Sequence, residues 1–263
     1  MIKLAINGAA GRMGHRLIDL ASQDDALQLV AAVDASDHPA IGQDAGILAG
    51  AGELKLPITD SYGDCEAVID FSTVAGATKA IPFCHQNSVP LVMATTGLEA
   101  AEEKLLHDAA AVIPIVWAPS MSMAVNLTMK LTQIAGEALK DHASGVDVEI
   151  IERHHRFKAD SPSGTALKFG NIAATAMGIS NHRHGREGMV GQRPHDEIGY
   201  HAVRTGDNPG EHTIVFGMLG ETIELKVGAS NRDCYASGAL AAAKFVVKQS
   251  PGIYDMYDVL NLK

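Results

Sequence analysis

His154, His155 and Lys158 lie within the segment Glu152-Arg153-His154-His155-Arg156-Phe157-Lys158-Ala159-Asp160-Ser161-Pro162-Ser163-Gly164-Thr165-Ala166. Histidine exchanges a proton near neutrality, and a lysine set among other cations can be tuned toward that range. The pair therefore has the chemistry of an acid that quenches charge on a reacting group. An alternating, strand-like run, Val146 to Ile151, precedes the segment, and a helical pattern, Ala166 to Ala173, follows it. Ser161 or Ser163 serves as the N-cap of that helix. Its free backbone N–H groups and positive dipole end suit an anion. Together these residue types describe a site that holds a carboxylate-bearing substrate and gives it a proton. A solvated basic loop ahead of a capped helix would carry the same residues, so the rest of the chain must decide.

Adjacent histidines on an extended backbone point to opposite sides, so one of the two faces the reacting carbon. No third ligand stands at metal-ligand spacing from the pair, and no metal is expected. His182, His184 and His195, in a polar stretch, are expected to face solvent.

The 263 residues suffice for one large domain or two modest ones. Apolar residues make up 46% and charged residues 20%, as in an ordinary globular chain. A net charge of −10 argues against a nucleic-acid or anionic membrane partner. It leaves room for a small anion in a locally basic pocket. Cys65, Cys84 and Cys234 are odd in number and contain no CxxC, which predicts buried thiols in a reducing compartment. With no membrane-length apolar run and a strand directly after Met1, the expected location is the cytoplasm.

A donor for the reaction is suggested at the start of the chain. Ile2 to Asn7 reads as a strand, Gly8-Ala9-Ala10-Gly11-Arg12-Met13-Gly14 as a turn, and the residues around Leu17, Ile18, Leu20 and Ala21 as a helix. Glycines at the first, fourth and seventh places permit a tight turn and a close backbone approach to a pyrophosphate. A second strand, Leu29 to Val33, ends at Asp34, placed to bond an adenosine ribose. Ala35 offers no cation to a 2′-phosphate, which favours NADH over NADPH unless Arg12 reaches round from the turn.

Strands at 67–72, 89–94 and 113–118 alternate with helices at 75–86 and 99–111, the pattern of a doubly wound parallel sheet. In such a sheet the ligand lies beyond the carboxyl ends of the strands. From residue 123 the pattern changes. A helix spans 124–139, a polar, turn-rich tract runs up to Asp196, and strands at 197–204, 211–217 and 221–227 fit an antiparallel or mixed sheet. Such a sheet often packs on a copy of itself in an oligomer. An alanine-rich helix, 235–247, is expected to return to the first domain. The expected fold is thus α/β: a Rossmann-type dinucleotide-binding domain over 1–122, completed by 232–263, and an α+β substrate and oligomerisation domain over 123–231.

The motifs Gly8 to Gly14, Thr95-Thr96-Gly97, Glu152-x-His154-His155-Arg156-x-Lys158-x-Asp160-x-Pro162-Ser163-Gly164-Thr165-Ala166, Arg186-Glu187-Gly188 and Gly206-Asp207-x-x-Gly210-Glu211-His212 together resemble the 4-hydroxy-tetrahydrodipicolinate reductase (dihydrodipicolinate reductase) family, over essentially the whole chain. The resemblance implies reduction of a cyclic dicarboxylate imine by NADH or NADPH, with loss of water, in the diaminopimelate route to lysine. It implies that His154 and Lys158 form the proton-donating pair and that His155, Gly164 and Thr165 hold the substrate carboxylates. By motif position, cofactor contacts fall on Gly8, Ala9, Ala10, Gly11, Arg12, Met13, Asp34, Ala94, Thr95, Thr96, Ala118, Pro119, Ser120 and Met121. A homotetramer built through the C-terminal sheets is implied as well. Phe157 stands where a histidine is common in the family.

Two other readings use the same chain differently. An aldehyde dehydrogenase of the aspartate-semialdehyde type needs a thiolate nucleophile. A non-catalytic dinucleotide sensor has little use for Lys158 beside His154.

Overall fold

A computed structural model describes residues 1–263, which divide into two compact units: Met1–Met123 with Arg232–Lys263, and Ala124–Asn231.

The first unit is a seven-stranded, wholly parallel sheet. Its strands are β1 (Ile2–Asn7), β2 (Leu27–Val33), β3 (Ile58–Thr59), β4 (Ala67–Asp70), β5 (Leu91–Met93), β6 (Pro114–Trp117) and, from the chain's end, β12 (Gly252–Tyr254). The spatial order is β12-β6-β5-β4-β1-β2-β3. Helices cover both faces, so successive residues of the inner strands are apolar in both directions. Leu4 and Ile6 pack with Leu17 and Ile18 of α1 (Arg12–Ser22) and with Ala239 and Leu240 of α7 (Asp233–Val246). Ala5 and Val68 pack on the other side, with Ile81 of α3 (Val74–Asn87) and Leu106 of α4 (Ala100–Ala110). Large apolar side chains in such layers are each worth about 2–5 kcal/mol against truncation to alanine. The alanine-rich α7 lies in this unit, fastened to α1 by the Arg16–Asp233 ion pair at 2.5 Å. Between β2 and β3 the glycine- and alanine-rich stretch holds only the short helix α2 (Ala45–Ala49), capped by Asp44.

The second unit has a five-stranded sheet, ordered β11-β10-β7-β9-β8, with α5 (Met123–Leu139) leading into it. Its strands are β7 (Asp147–His154), β8 (Asn181–His184), β9 (Glu197–Arg204), β10 (Glu211–Met218) and β11 (Glu221–Gly228). The sheet is mixed, not purely antiparallel. β10 pairs antiparallel with β7 and β11, but β7 with β9 and β8 with β9 are parallel. The reason is connectivity: α6 (Gly164–Met177) crosses over after β7, and a crossover, unlike a hairpin, returns the chain in the same direction. β8 falls in the stretch that reads as a turn-rich tract. Its residues, Asn-His-Arg-His, are all exposed at the sheet edge and carry no apolar alternation. Phe169 of α6 and Phe216 of β10 are fully buried. No helix of the chain is long and apolar enough to cross a membrane.

Candidate active site

In the first unit the chemistry gathers where β1 ends. Gly8 has φ +81°, and both its N–H and that of Ala9 donate to the Val33 carbonyl at 2.9 Å. A Cβ on Gly8 would sit 2.6 Å from the Phe71 carbonyl oxygen, so the position tolerates only glycine, on both counts. Gly11 N–H donates to the Gly8 carbonyl at 3.0 Å and caps α1, whose first turn begins at Arg12. Asp34, just past β2, accepts from the Ala10 N–H through one oxygen and from the Ala35 N–H through the other, both at 2.9 Å. The carboxylate thereby ties the end of β2 to the glycine turn.

Beside the turn lies a cavity of about 470 Å³, lined by Gly8, Gly11 and Asp34 and also by His38, Tyr62 and Lys79. A glycine backbone that can approach a pyrophosphate, a helix N-terminus and a ribose-reading carboxylate on one cavity fit a nicotinamide dinucleotide. The other proposed contacts are not among the residues lining that cavity. Arg12 and Thr96 are exposed; Met13 is half-buried. Ala94, Ala118 and Met121 are buried in the core, Met121 by packing of its side chain against the α7 layer, while Pro119 is exposed and Ser120 half-buried. The hydroxyl of Thr95 donates to Asp70 at 2.6 Å and accepts from the Ser72 N–H at 3.0 Å. Asp70 also accepts from Asn7 and from the Ser72 hydroxyl, so the ends of β1, β4 and β5 share one buried polar knot.

In the second unit the basic segment is anchored at both ends. His154 closes β7 with 8% exposure, and the backbone of 154–156 bonds to 205–208 through Thr205 N–H to His154 O, His155 N–H to Asn208 O and Arg156 N–H to Gly206 O. Ser163, not Ser161, is the N-cap of α6; its hydroxyl accepts from the Ala166 N–H at 3.1 Å. Gly164 and Thr165 thus begin the helix with backbone N–H groups that no earlier turn satisfies. Lys158, half-buried, pairs with Asp160 at 2.8 Å. Nδ1 of His155 is buried without a partner, and Phe157 is 80% exposed, which suits neither an acid nor a core residue.

Three residues that sequence reasoning did not assign complete this cluster. Glu152, 1% exposed, accepts from His154 Nδ1–H at 2.6 Å and from the Ser163 N–H at 3.0 Å. Arg204 at the end of β9 meets both Glu152 oxygens at 2.7 Å. His212 of β10 packs its ring edge-on to that of His154, centroids 5.2 Å apart. Burial, and then the neighbouring His154 charge, push His212 down to about 4, so it is neutral at physiological pH. Burial favours the neutral acid at Glu152, yet Arg204, His154 and the Ser163 N–H together hold its carboxyl below the usual range. The signal for Glu152 was legible: two residues from His154 on a strand means the same face.

His182 bonds Tyr200 through Nδ1 at 2.7 Å while remaining exposed, and His195 and His184 face solvent. The thiols have no reactive setting: burial pushes Cys65 up to about 11, and raises Cys84 and Cys234 as well. That removes the nucleophile an aldehyde dehydrogenase of this build requires.

A parallel sheet whose leading turn is shaped for a dinucleotide, in a chain that also buries a hydrogen-bonded histidine beside a helix start, defines a nicotinamide-dependent oxidoreductase. Comparison with known proteins narrows the class. Residues 2–121 match the family described as dihydrodipicolinate reductase, N-terminus, and residues 124–260 its C-terminus. The 4-hydroxy-tetrahydrodipicolinate reductase of Rhodopirellula baltica is 55% identical over 270 residues, covering 99% of this chain and 96% of its own. That of Geotalea daltonii is 42% identical over the full length of both. The chain belongs to the dihydrodipicolinate reductase family, whose members are oxidoreductases that use a nicotinamide cofactor. Among solved structures, the dipicolinate-bound dihydrodipicolinate reductase of Paenisporosarcina sp. TG-14 superposes with a TM-score of 0.79 at 24% identity over 98% of each chain. Aspartate semialdehyde dehydrogenase II of Vibrio cholerae shares the fold at a TM-score of 0.56 and 12% identity over 95% of this chain and 99% of its own.

Proposed function

We propose that this chain reduces 4-hydroxy-tetrahydrodipicolinate to tetrahydrodipicolinate, with loss of the hydroxyl as water, in the diaminopimelate route to lysine. The nicotinamide supplies the hydride when bound. The chain's own residues supply position and a proton. Hydride addition to a conjugated imine builds negative charge, and His154 gives its Nε2 proton as that charge forms. Lys158 is its partner in proton donation and, as an ammonium, holds the diacid close to it. His155 and the N–H groups of Gly164 and Thr165 take the substrate carboxylates at the start of α6. The observation that carries this reading is that one anchored segment of 15 residues, Glu152 to Ala166, brings the buried His154, the half-buried Lys158 and an uncovered helix N-terminus together.

Residues 1–122 with 232–263 serve as the cofactor domain, through Gly8 to Met13, Asp34, 94–96 and 118–121. Residues 123–231 serve substrate binding and assembly, as a homotetramer joined through the second sheet. NADH is the favoured donor, because Asp34 repels a 2′-phosphate and Ala35 offers no cation. Lys79 lines the same cavity, which supports NADPH as a second donor. The enzyme works in the cytoplasm on a small dicarboxylate, without nucleic acid or membrane as partner. His154→Ala and Lys158→Ala lower kcat by about 10²–10⁴-fold and leave the Kd for NADH nearly unchanged. Wild-type turnover in both variants would remove the assignment.

A further inference from the structure

We propose that Glu152, clamped by Arg204, is the positioning residue that sets His154 for proton transfer and ties it to the start of α6. The proposal rests on His154 being the acid.

β7 alternates its faces, so Glu152 and His154 both project toward the buried side. A carboxylate accepting from Nδ1–H fixes which ring nitrogen keeps its hydrogen and which way the ring turns. Nε2 is then the nitrogen left to exchange a proton. The Gly210 backbone lies against that nitrogen: a Cβ on Gly210 would come within 2.8 Å of Nε2, and Gly210 has φ +150°. Any other residue there would press on the atom that must reach substrate.

The second function of Glu152 follows from its other oxygen. It accepts the N–H of Ser163, the residue whose hydroxyl caps α6. Arg204 adds a third tie, since Nη2 also donates to the Asp160 carbonyl at 2.7 Å. One buried carboxylate therefore sets both the imidazole and the helix start whose N–H groups hold anion. An imidazole turned out of register with the bound diacid would still be basic but would protonate the wrong place. A buried carboxylate with no cation would take up a proton and cease to accept from both N–H groups; Arg204 prevents this by a bidentate contact. The charged and titratable groups around the paired rings of His154 and His212 are Glu152, Arg204 and, acting on His212, Lys158 and Glu211. Of these only Glu152 bonds the His154 imidazole directly.

The test compares Glu152→Gln, Glu152→Asp, His154→Ala and the double variant Glu152→Gln/His154→Ala. Measured are kcat and KM across pH, the thermal midpoint, and binding of dipicolinate by calorimetry. In Glu152→Gln, kcat falls about 10–100-fold with KM changed only a few-fold. Its alkaline limb moves to lower pH, because the negative charge favouring the imidazolium is gone. Glu152→Asp loses rate but keeps the limb in place. In the His154→Ala background the Gln substitution costs no further rate. A Glu152→Gln enzyme with wild-type kcat and an unmoved limb, alongside an inactive His154→Ala, overturns the positioning role alone. So does an equal further loss in the double variant, which marks a merely structural carboxylate. An active His154→Ala overturns the parent reading instead.

Discussion

We propose that the choice of cofactor is decided at Asp34. Its two oxygens already accept from Ala10 and Ala35 N–H, which holds the carboxylate at the wall of the cavity. A carboxylate in that position accepts from ribose hydroxyls and repels a 2′-phosphate. Ala35→Arg puts a guanidinium beside that position, and the ratio of kcat/KM for NADPH over NADH is expected to rise about tenfold, the effect of one added charge-assisted contact. Steady-state kinetics with both donors measures it. An unchanged ratio assigns the 2′ position to another cation of the cavity, Lys79 first. Asp34 was legible because a strand, glycine turn, helix and second strand at fixed spacing leave only one acid at the strand end. Lys79 was not, since it reaches the cavity from α3, far along the chain, and spacing says nothing about such meetings.

At the scale of elements, the strap between β8 and β9 shows how a polar stretch is held without a core. Arg186 reaches Glu149 at 2.7 Å and also pairs with Glu197; Arg193 reaches Asp147 at 2.7 Å and Glu149 at 2.8 Å. Burial acts to raise Glu149, but bonds from Arg186, Arg193 and His201 hold it down at about 2. Its folded value lies below the ordinary 4.5, so its contribution is complete above about pH 4.5 and is lost as pH falls toward 2. The difference amounts to about 3 kcal/mol. Glu149→Gln is therefore expected to lower the thermal midpoint at neutral pH and to flatten its decline through that acid window. Thermal melts of both proteins from neutrality to about pH 2 decide it, and parallel curves would refute the clamp. The strap read as turns because its charges pair across sequence distances of 37 and 44 residues, beyond any periodicity. The parallel pairing of β7 with β9 was hidden for a related reason: strand patterns give the faces of a strand, whereas direction depends on the crossover between strands.

At the scale of the molecule, the chain order carried most of the architecture. Repeated strand–helix alternation specified the parallel sheet, and its apolar runs in both directions required helices on both faces, which α1 and α7 on one side and α3 and α4 on the other supply. The edge strands β3 and β12, two and three residues long, are too short to leave a pattern. The candidate site was legible as a basic segment of unusual composition; His154 closes β7, and Lys158 lies in the loop before α6. Strand alternation could have given the carboxylate behind the histidine, but not the arginine behind the carboxylate, which comes from 52 residues further along. Hydride transfer to a cyclic imine diacid is tested directly by one assay. Pyruvate and aspartate semialdehyde are condensed in situ by the preceding synthase, this protein is added, and oxidation of NADH is followed by its absorbance. The expected result is oxidation that requires both the condensed product and this protein, and that His154→Ala nearly abolishes. No oxidation of either NADH or NADPH by the folded wild-type chain would contradict it.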